Sequence, residues 1–191
     1  QTGVVKVGND YYATFIDAIS NSKAGDTVTL LANVESGDLS ISKSLNIDLN
    51  EKTLTMTGQM YLLSSKVPYS VVISNGKLNA TNDSNIGNLA IQVLENASLK
   101  LYKVDMTSEM SGIFATNNMN NIKIELDGST LKVKGYYGIG TNATKVESDN
   151  VVFILKDSEV EIVDDKNGDN IPLLFNVKGH VEIINSTIKG D

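Results

Sequence analysis

Residues 99–106 read Leu-Lys-Leu-Tyr-Lys-Val-Asp-Met, with apolar side chains at the first, third and eighth positions. The same spacing returns in six copies, and the middle apolar residues of successive copies lie 24, 28, 25, 29 and 28 positions apart. The copies are Ile47/Leu49/Leu54, Val71/Ile73/Leu78, Leu99/Leu101/Met106, Ile124/Leu126/Leu131, Phe153/Leu155/Val160 and Val181/Ile183/Ile188. A period of this size is typical of solenoid proteins, in which each repeat forms one coil that stacks on its neighbours.

A further apolar segment lies between successive copies, as at residues 89–93 and 138–140. Three short strands per coil favour a three-sided parallel β-helix over a leucine-rich repeat, whose Leu-x-x-Leu-x-Leu pattern is missing. The corner between the first two strands contains residues that tolerate left-handed or tight conformations, such as Asn75-Gly76 and Asp127-Gly128. The sequence therefore predicts an all-β, right-handed, three-sided parallel β-helix.

One short helix is predicted near the N-terminus. Thr14-Phe15-Ile16-Asp17 forms a Ser/Thr-x-x-acid capping box, and Gly25 marks the end of the helix. Phe15, Ala18 and Ile19 share one face at helical spacing. We expect this helix to cover the open N-terminal end of the coil stack.

The chain of 191 residues fits a single domain. We expect residues 1–31 to form an N-terminal strand and the capping helix, and residues 32–191 to form about six to seven coils. The last residues complete a copy of the repeat without the polar cap that solenoids need, so we expect a fragment of a longer chain that continues past Asp191.

Composition narrows the classes of partner. The net charge of −7 argues against nucleic acid and anionic membranes, which both select for a basic surface. No apolar run is long enough to span a membrane. The chain has no Cys, which excludes disulfides and thiol chemistry, and its 16 basic residues are all Lys. We expect a monomer.

Residues 12–30 read Tyr-Ala-Thr-Phe-Ile-Asp-Ala-Ile-Ser-Asn-Ser-Lys-Ala-Gly-Asp-Thr-Val-Thr-Leu. This run resembles the opening of pectate-lyase-like right-handed parallel β-helix domains, which recur in bacterial surface proteins and in polysaccharide-active enzymes. The resemblance covers this opening, and it extends to the later coils through their period alone. It implies the fold and an extracellular or cell-wall-attached location, and it leaves the chemistry open.

The resemblance implies the catalytic patterns of pectate-lyase-like enzymes. Their lyases and esterases use acids together with Arg, and their hydrolases use a cluster of three Asp. The chain has no Arg for the lyase and esterase patterns. Asp105, Glu125, Glu159 and Glu161 lie in outward columns that also contain Lys, and they are expected to form structural ladders rather than a catalytic pair. The single His180 is expected to have a surface or corner role. We assign no catalytic residue.

The aligned copies also predict particular charge pairs between neighbouring coils. Lys100 is expected beside Glu125, and Lys132, Glu161 and Lys189 are expected to alternate in sign along one face. Opposite charges on adjacent strands contribute roughly 0.2–1 kcal/mol per pair.

The segment Asp165-Lys166-Asn167-Gly168-Asp169-Asn170 places oxygen ligands at alternate positions, with a Gly for the turn. It is similar to the first half of an EF-hand-like or dockerin-type calcium loop. The closing acid is missing, because Asn176 stands seven residues after Asp169. Two interpretations stay open: a Ca²⁺ site at Asp165, Asn167 and Asp169, or a loop with solvated acids. No other cofactor is indicated.

Tyrosines are the candidates for stacking on sugar rings, since the chain has no Trp. Tyr136 and Tyr137 lie between Gly135 and Gly138, which indicates a tight, exposed turn. Tyr61, Tyr69 and Tyr102 are the other candidates, and half-buried packing is the alternative role for all five.

The sequence thus favours a non-catalytic, extracellular β-helix module of a bacterial surface protein that serves adhesion through a glycan or a host surface protein. Two alternatives stay open, a polysaccharide lyase or hydrolase and a ligand-free stalk. Binding is expected in the segments of irregular length along one edge of the solenoid, such as residues 81–88 and 164–172.

Overall fold

The computed structural model describes residues 3–85, 88–116, 120–142, 150–163 and 170–190. Within these residues the chain is all-β, with one short helix, and winds into a parallel β-solenoid of about five turns. The expected β-helix with a short N-terminal helix is confirmed. The expected six to seven coils over residues 32–191 stay a prediction.

The strands follow one another at short intervals. They are β1 Val5–Val7, β2 Asp10–Tyr12, β3 Thr27–Leu30, β4 Val34–Ser36, β5 Leu39–Ile41, β6 Leu45–Asp48, β7 Thr53–Met56, β8 Met60–Leu62, β9 Tyr69–Ala80, β10 Leu89–Val93, β11 Ala97–Ser108, β12 Ser111–Ala115, β13 Ile122–Asp127, β14 Thr130–Val133, β15 Tyr137–Thr141, β16 Val151–Lys156, β17 Glu159–Ile162, β18 Ile171–Leu174, β19 Gly179–Ile184 and β20 Thr187–Lys189. The helix α1, Phe15–Asn21, lies between β2 and β3.

From β3 onward, corresponding strands of successive coils pair in parallel and form three columns. The first column contains β3, β6, the first half of β9, the first half of β11, β13, β16 and β19. The second contains β4, β7, the second halves of β9 and β11, β14, β17 and β20. The third is the six-stranded sheet of β5, β8, β10, β12, β15 and β18. Because β9 and β11 run through the corner unbroken, the first two columns form one continuous sheet.

The expected alignment of the first copy is wrong by two residues. Ile47 pairs with Ile73 and Leu45 with Val71, so the inward pair of this coil is Leu45/Ile47 rather than Ile47/Leu49. Leu49 is also buried, in a longer corner where residues 49–52 lie opposite residues 75–76. A shift of two residues keeps every side chain on the same face of a strand, so the alternation of apolar residues does not reveal it.

The N-terminal segment begins as predicted. The Thr14 hydroxyl accepts a hydrogen bond from the Asp17 N–H at 3.1 Å, and Phe15, Ala18 and Ile19 are buried. The helix ends at Asn21, earlier than the predicted end at Gly25. Ser22 caps it: the Ser22 N–H makes the last helical hydrogen bond, to the Ala18 carbonyl, and the Ser22 backbone is already extended. The antiparallel hairpin β1–β2 extends the first column through pairing of β1 with β3. Together the hairpin and α1 cover much of the N-terminal end.

The corner between the first two columns is turned by residues in the left-handed conformation. Positive φ angles occur in successive coils at Asn50, Glu51, Asn75, Lys103, Gly128, Asp157 and Asn185. In the later coils a Ser follows this position, and its Oγ accepts from a backbone N–H of the preceding coil. Ser129 accepts from Val104 at 3.0 Å, and Ser158 accepts from Ser129 at 3.1 Å. The corner residues that the sequence marks as turn formers thus connect the coils.

A second corner, before the first column, carries a ladder of asparagines. Asn96, Asn121 and Asn150 all have positive φ and occupy the same position in three successive coils. Asn121 Nδ2 donates to Asn96 Oδ1 at 2.8 Å, and Asn150 Nδ2 donates to Asn121 Oδ1 at 3.1 Å. These hydrogen bonds connect three successive coils at the second corner.

Two substitutions of Asn121 separate the contribution of its side-chain hydrogen bonds from that of its left-handed backbone conformation. We expect Asn121→Ala to lower the free energy of unfolding by about 2–3 kcal/mol, since it removes two side-chain hydrogen bonds and places Ala, which adopts the left-handed conformation less readily than Asn, at a positive φ. Asn121→Gly keeps the conformation available and should cost about 1 kcal/mol. Urea unfolding followed by circular dichroism measures both. Equal losses in the two variants would contradict a conformational role for Asn121.

Tyr69 fastens the segment that enters β9. Its ring is buried, and its hydroxyl lies 2.6 Å from the Leu63 carbonyl and 3.0 Å from the Ile41 carbonyl. Burial raises the pKa of Tyr69 above its ordinary value. Tyr69 is therefore a structural residue, and its buried ring is not available to stack on a sugar.

The raised pKa of Tyr69 predicts a loss of stability in alkali. Above a pH of about 10 the unfolded chain releases this proton before the folded chain does, so the free energy of unfolding falls as pH rises. Tyr69→Phe should remove this component, and at neutral pH it should cost about 1–2 kcal/mol because the carbonyls lose their donor. Urea unfolding at pH 7 and at about pH 11 measures both effects, with the exposed Tyr11→Phe as control. An unchanged alkaline loss in Tyr69→Phe would contradict the assignment.

Candidate functional site

The outer surface of the third column, here called the third face, brings aromatic and amide side chains together. Tyr61 pairs with Gln92 and Gln92 with Phe114 in adjacent strands, so their side chains share a row. Neighbouring strands lie about 4.8 Å apart, and the row therefore spans three coils within about 10 Å. Sequence reasoning missed Gln92 and Phe114, because both lie inside the apolar segments between copies of the repeat, at residues 89–93 and 113–115.

Phe114 points away from the solenoid interior. Its neighbours Ile113 and Ala115 belong to the core cluster, and Phe114 does not, although it is buried. Its ring lies over Gly140 of the next coil, where a Cβ would come within 2.6 Å of the ring. The ring is thus covered because the adjacent strand offers a residue without a side chain.

Tyr136 and Tyr137 join this ring. The Tyr137 ring is 5.5 Å from that of Phe114 and 6.2 Å from that of Tyr136, both in edge-to-face geometry. Aromatic pairs of this kind are worth about 0.5–1.5 kcal/mol beyond the area that they bury. The two tyrosines are half-buried and Gly135 is buried, so this turn is less exposed than the flanking glycines indicate. Here Phe114, Tyr136 and Tyr137 are called the aromatic cluster.

A break in the strand pattern accounts for the position of Tyr137. A Cβ on Gly138 would lie 2.3 Å from the Pro172 carbonyl oxygen and 2.7 Å from Val160, a core residue. Gly138 therefore faces the interior, as does Ile139 beside it, and the normal alternation of the strand is interrupted. This places the Tyr137 ring on the side of Phe114.

Polar groups continue the row beyond the aromatic cluster. Gln59 Oε1 accepts from Tyr61 Oη at 3.1 Å and from Gln92 Nε2 at 2.9 Å. Thr116 Oγ1 donates to Gln92 Oε1 at 3.3 Å. These contacts hold amide and hydroxyl groups of three coils in fixed positions beside the rings.

The segments of variable length connect two different pairs of columns. β9 and β17 end in the second column, and the strands that follow them, β10 and β18, belong to the third. β12 and β15 end in the third column, and the strands that follow them, β13 and β16, belong to the first. The order of the strands therefore gives two corners with variable connections, where the sequence predicts one edge.

The remaining tyrosine candidate lies elsewhere. Tyr102 is exposed on the first column, and its ring has Lys100 Nζ at 5.6 Å and Lys103 Nζ at 5.2 Å from its centroid. Such contacts contribute about 0.5–1 kcal/mol at exposed sites. Tyr102 is thus separate from the aromatic cluster and serves below as a control.

The expected charge ladders form, with one change of partner. Lys100 Nζ lies 3.8 Å from Glu125 Oε1, and Lys132 Nζ lies 3.7 Å from Glu161 Oε2. Lys189 aligns with Glu161 as expected, but its ammonium contacts Glu159 at 3.0 Å. That hydrogen bond lowers the pKa of Glu159. The flexible Lys side chain reaches a neighbouring row that strand register does not specify.

The four acids that are singled out in the sequence all have ladder partners. Asp105 accepts from Thr130 Oγ1 at 2.6 Å, and Glu125, Glu159 and Glu161 each contact a Lys. His180 is exposed on β19, with its Nε2 at 3.5 Å from Glu182 Oε2. None of these five residues is brought into the aromatic cluster.

The predicted calcium ligands Asp165, Asn167 and Asp169 lie outside the described residues, so the Ca²⁺ site stays a prediction. In the part of the chain that the structure describes, no three His, Cys, Asp or Glu side chains are arranged to hold a metal ion. Within the same residues no helix is both long and apolar enough to cross a membrane.

Comparisons with protein-family models, with curated proteins and with solved structures found no match for this chain. The assignment of the fold therefore rests on strand pairing, and any assignment of function rests on the third face.

The packing of Phe114 on Gly140 can be tested by a double-mutant cycle. We expect Gly140→Ala to lower the free energy of unfolding by about 1–3 kcal/mol, because the new methyl group displaces the ring. In a Phe114→Leu background the same change should cost clearly less, since the smaller side chain leaves room. Equal costs in the two backgrounds, measured by urea unfolding, would show that Phe114 does not lie over Gly140.

Proposed function

We propose that the protein is a non-catalytic, extracellular β-solenoid module of a bacterial surface protein, and that it binds a neutral glycan on the third face. The observation that carries the proposal is the aromatic cluster beside the fixed amide row of Gln59 and Gln92. Sugar rings present apolar C–H faces and hydroxyl edges together. A ligand of this kind fits a surface of aromatic rings and a few well-placed polar groups.

The partnered acids favour binding over catalysis. Lyases and hydrolases on β-helices need convergent acids or a free base, and Asp105, Glu125, Glu159 and Glu161 are each engaged with a neighbouring coil. The net charge of −7 makes an uncharged glycan a better partner than an acidic one, since an anionic ligand would be repelled at long range.

The pectate-lyase-like resemblance of residues 12–30 supports the proposed extracellular setting. It concerns the opening of the chain, which the structure folds into α1 and β3, and not the third face. The resemblance therefore supports the proposed location of the protein, and the contacts of the third face support the proposed binding site. The polysaccharide-cleaving enzyme, the host-protein ligand and the ligand-free stalk are the outcomes against which it is tested.

A glycan array with matched variants tests the proposal. We expect the parent to bind a neutral glycan, and Tyr136→Ala/Tyr137→Ala to weaken binding at least tenfold, since each stacked ring contributes about 1 kcal/mol. Gln92→Leu should weaken it to a lesser extent by removing one polar contact. Tyr102→Ala, on another column, should bind as the parent does. Circular dichroism and thermal unfolding of each variant establish that it is folded.

Three results would contradict the proposal. Release of new reducing ends or unsaturated sugars from a panel of acidic and neutral polysaccharides would indicate an enzyme. Equal binding by the parent and the double tyrosine variant would move the site away from the third face. Absence of binding to any glycan of the array, with the parent folded, would favour the stalk or a protein ligand.

A further inference from the structure

The N-terminal end of the third column carries a free strand edge. β5 pairs on one side with β8, through the Leu39 N–H to the Gln59 carbonyl at 2.9 Å and the Leu63 N–H to the Ile41 carbonyl at 2.8 Å. Because the backbone groups of a parallel strand alternate in direction, the N–H and C=O of Ser40 point away from β8. β5 is the terminal strand of its sheet, and no described strand pairs with that side.

The other two columns are covered at this end. β1 pairs antiparallel with β3 of the first column, with Val5 opposite Leu30 and Val7 opposite Val28. The helix α1 packs beside β4 of the second column. Neither element lies on the edge of β5 in the described part of the chain. β4 is also an edge strand, since it pairs with β7 alone among the described strands, but α1 packs beside it, whereas β5 keeps an open, unpaired side.

A groove of about 380 Å³ lies against this edge, between α1 and β5. Ile16 and Ile19 of α1 form its apolar wall, and Ile16 is 41% exposed. The hydroxyl-bearing residues Ser20, Ser40 and Ser42 supply polar lining. The groove is therefore apolar on the helix side and polar on the strand side.

The two ends of the groove carry opposite charges. Asp38 precedes β5, and its Oδ1 accepts from the Gln59 N–H at 2.8 Å. Lys43 follows β5, and its ammonium donates to the Ser22 carbonyl. These contacts fix the side chains in place and leave each with its net charge. A ligand that lies along β5 would meet an anion at one end and a cation at the other.

We propose that this groove binds an extended peptide segment of a partner protein, which adds to β5 as a further strand. The segment pairs its backbone with Ser40, packs an apolar side chain against Ile16 and Ile19, and carries a basic residue beside Asp38 and an acidic residue beside Lys43. Strand addition of this kind derives affinity from main-chain hydrogen bonds and specificity from the flanking side chains. Three residues span about 10 Å as a strand, which matches the length of β5. The groove lies on a different coil from the aromatic cluster, and it adjoins the amide row through the hydrogen bond from the Gln59 N–H to Asp38.

The test uses the full chain and a synthetic peptide, acetyl-Lys-Thr-Val-Thr-Glu-amide, in a titration followed by amide NMR shifts. We expect saturable shifts centred on Ser40 and Ser42, with a dissociation constant on the order of 1 mM. Ser40→Pro removes the unpaired N–H from an edge strand, where Pro is tolerated, and should weaken binding about tenfold or more. Ser40→Ala keeps the N–H and should bind as the parent does.

Charge exchange at Lys43 tests the polarity of the groove. The parent should prefer the Lys/Glu peptide to acetyl-Lys-Thr-Val-Thr-Lys-amide, and Lys43→Glu should reverse that preference. The parent's preference requires a peptide that runs parallel to β5, which places its Lys beside Asp38 and its Glu beside Lys43. The preference of Lys43→Glu for the second peptide holds in either direction, since that peptide is basic at both ends.

The proposal is overturned by the absence of saturable shifts at Ser40, by equal binding in Ser40→Pro and Ser40→Ala, or by an unchanged preference in Lys43→Glu. Self-association of the free protein that Ser40→Pro abolishes, seen by sedimentation, would assign the edge to a second copy and would also overturn it. Binding of a glycan in Tyr136→Ala/Tyr137→Ala has no bearing on these outcomes, so the two proposals fail separately.

Discussion

Every coil of this protein must turn its corners at the same place as the coil before it. Parallel strands in the three columns bond to each other only when the chain returns in register, and the inward apolar residues stack only under the same condition. Positive φ angles at Asn75, Lys103, Gly128 and Asp157 provide that return at one corner. Buried apolar stacks and the interstrand hydrogen bonds both depend on this repeated conformation, which Asn, Asp and Gly adopt at little cost.

The same requirement governs side chains on the outside. Once register is set, outward residues lie in rows, and each side chain meets its counterpart about 4.8 Å away. The protein uses these rows for Asn and Lys/Glu ladders, as between Asn96 and Asn121 or between Lys132 and Glu161. Acids that are held in such ladders are poor candidates for chemistry. Regularity on the first two columns thus confines the candidate binding surface to the third.

Glycine gives the third face its different character. Gly140 leaves a gap in the outward row that the Phe114 ring covers, and Gly138 faces the interior and breaks the alternation of its strand, which brings Tyr137 beside Phe114. At the far end of the same column the opening coil is short, and β5 is left with a free edge beside α1. Both candidate binding sites therefore arise where the repeat is broken, one by missing side chains and one by a missing strand.

The amino-acid sequence alone determined the period, the three strands per coil, the turn residues at the corners, the N-terminal helix and the Lys100–Glu125 pair. All of these depend on local spacing, and spacing is visible in a repeat. Tertiary structure decided what spacing leaves ambiguous. A shift of two residues preserves the inward and outward faces of a strand, so the spacing does not specify that Ile47 pairs with Ile73, and the tertiary fold decides it. Tyr136 and Tyr137 were found from their glycine neighbours, whereas Phe114 and the groove at β5 depend on which coils lie side by side, and the chain brings those residues together only when the solenoid has closed.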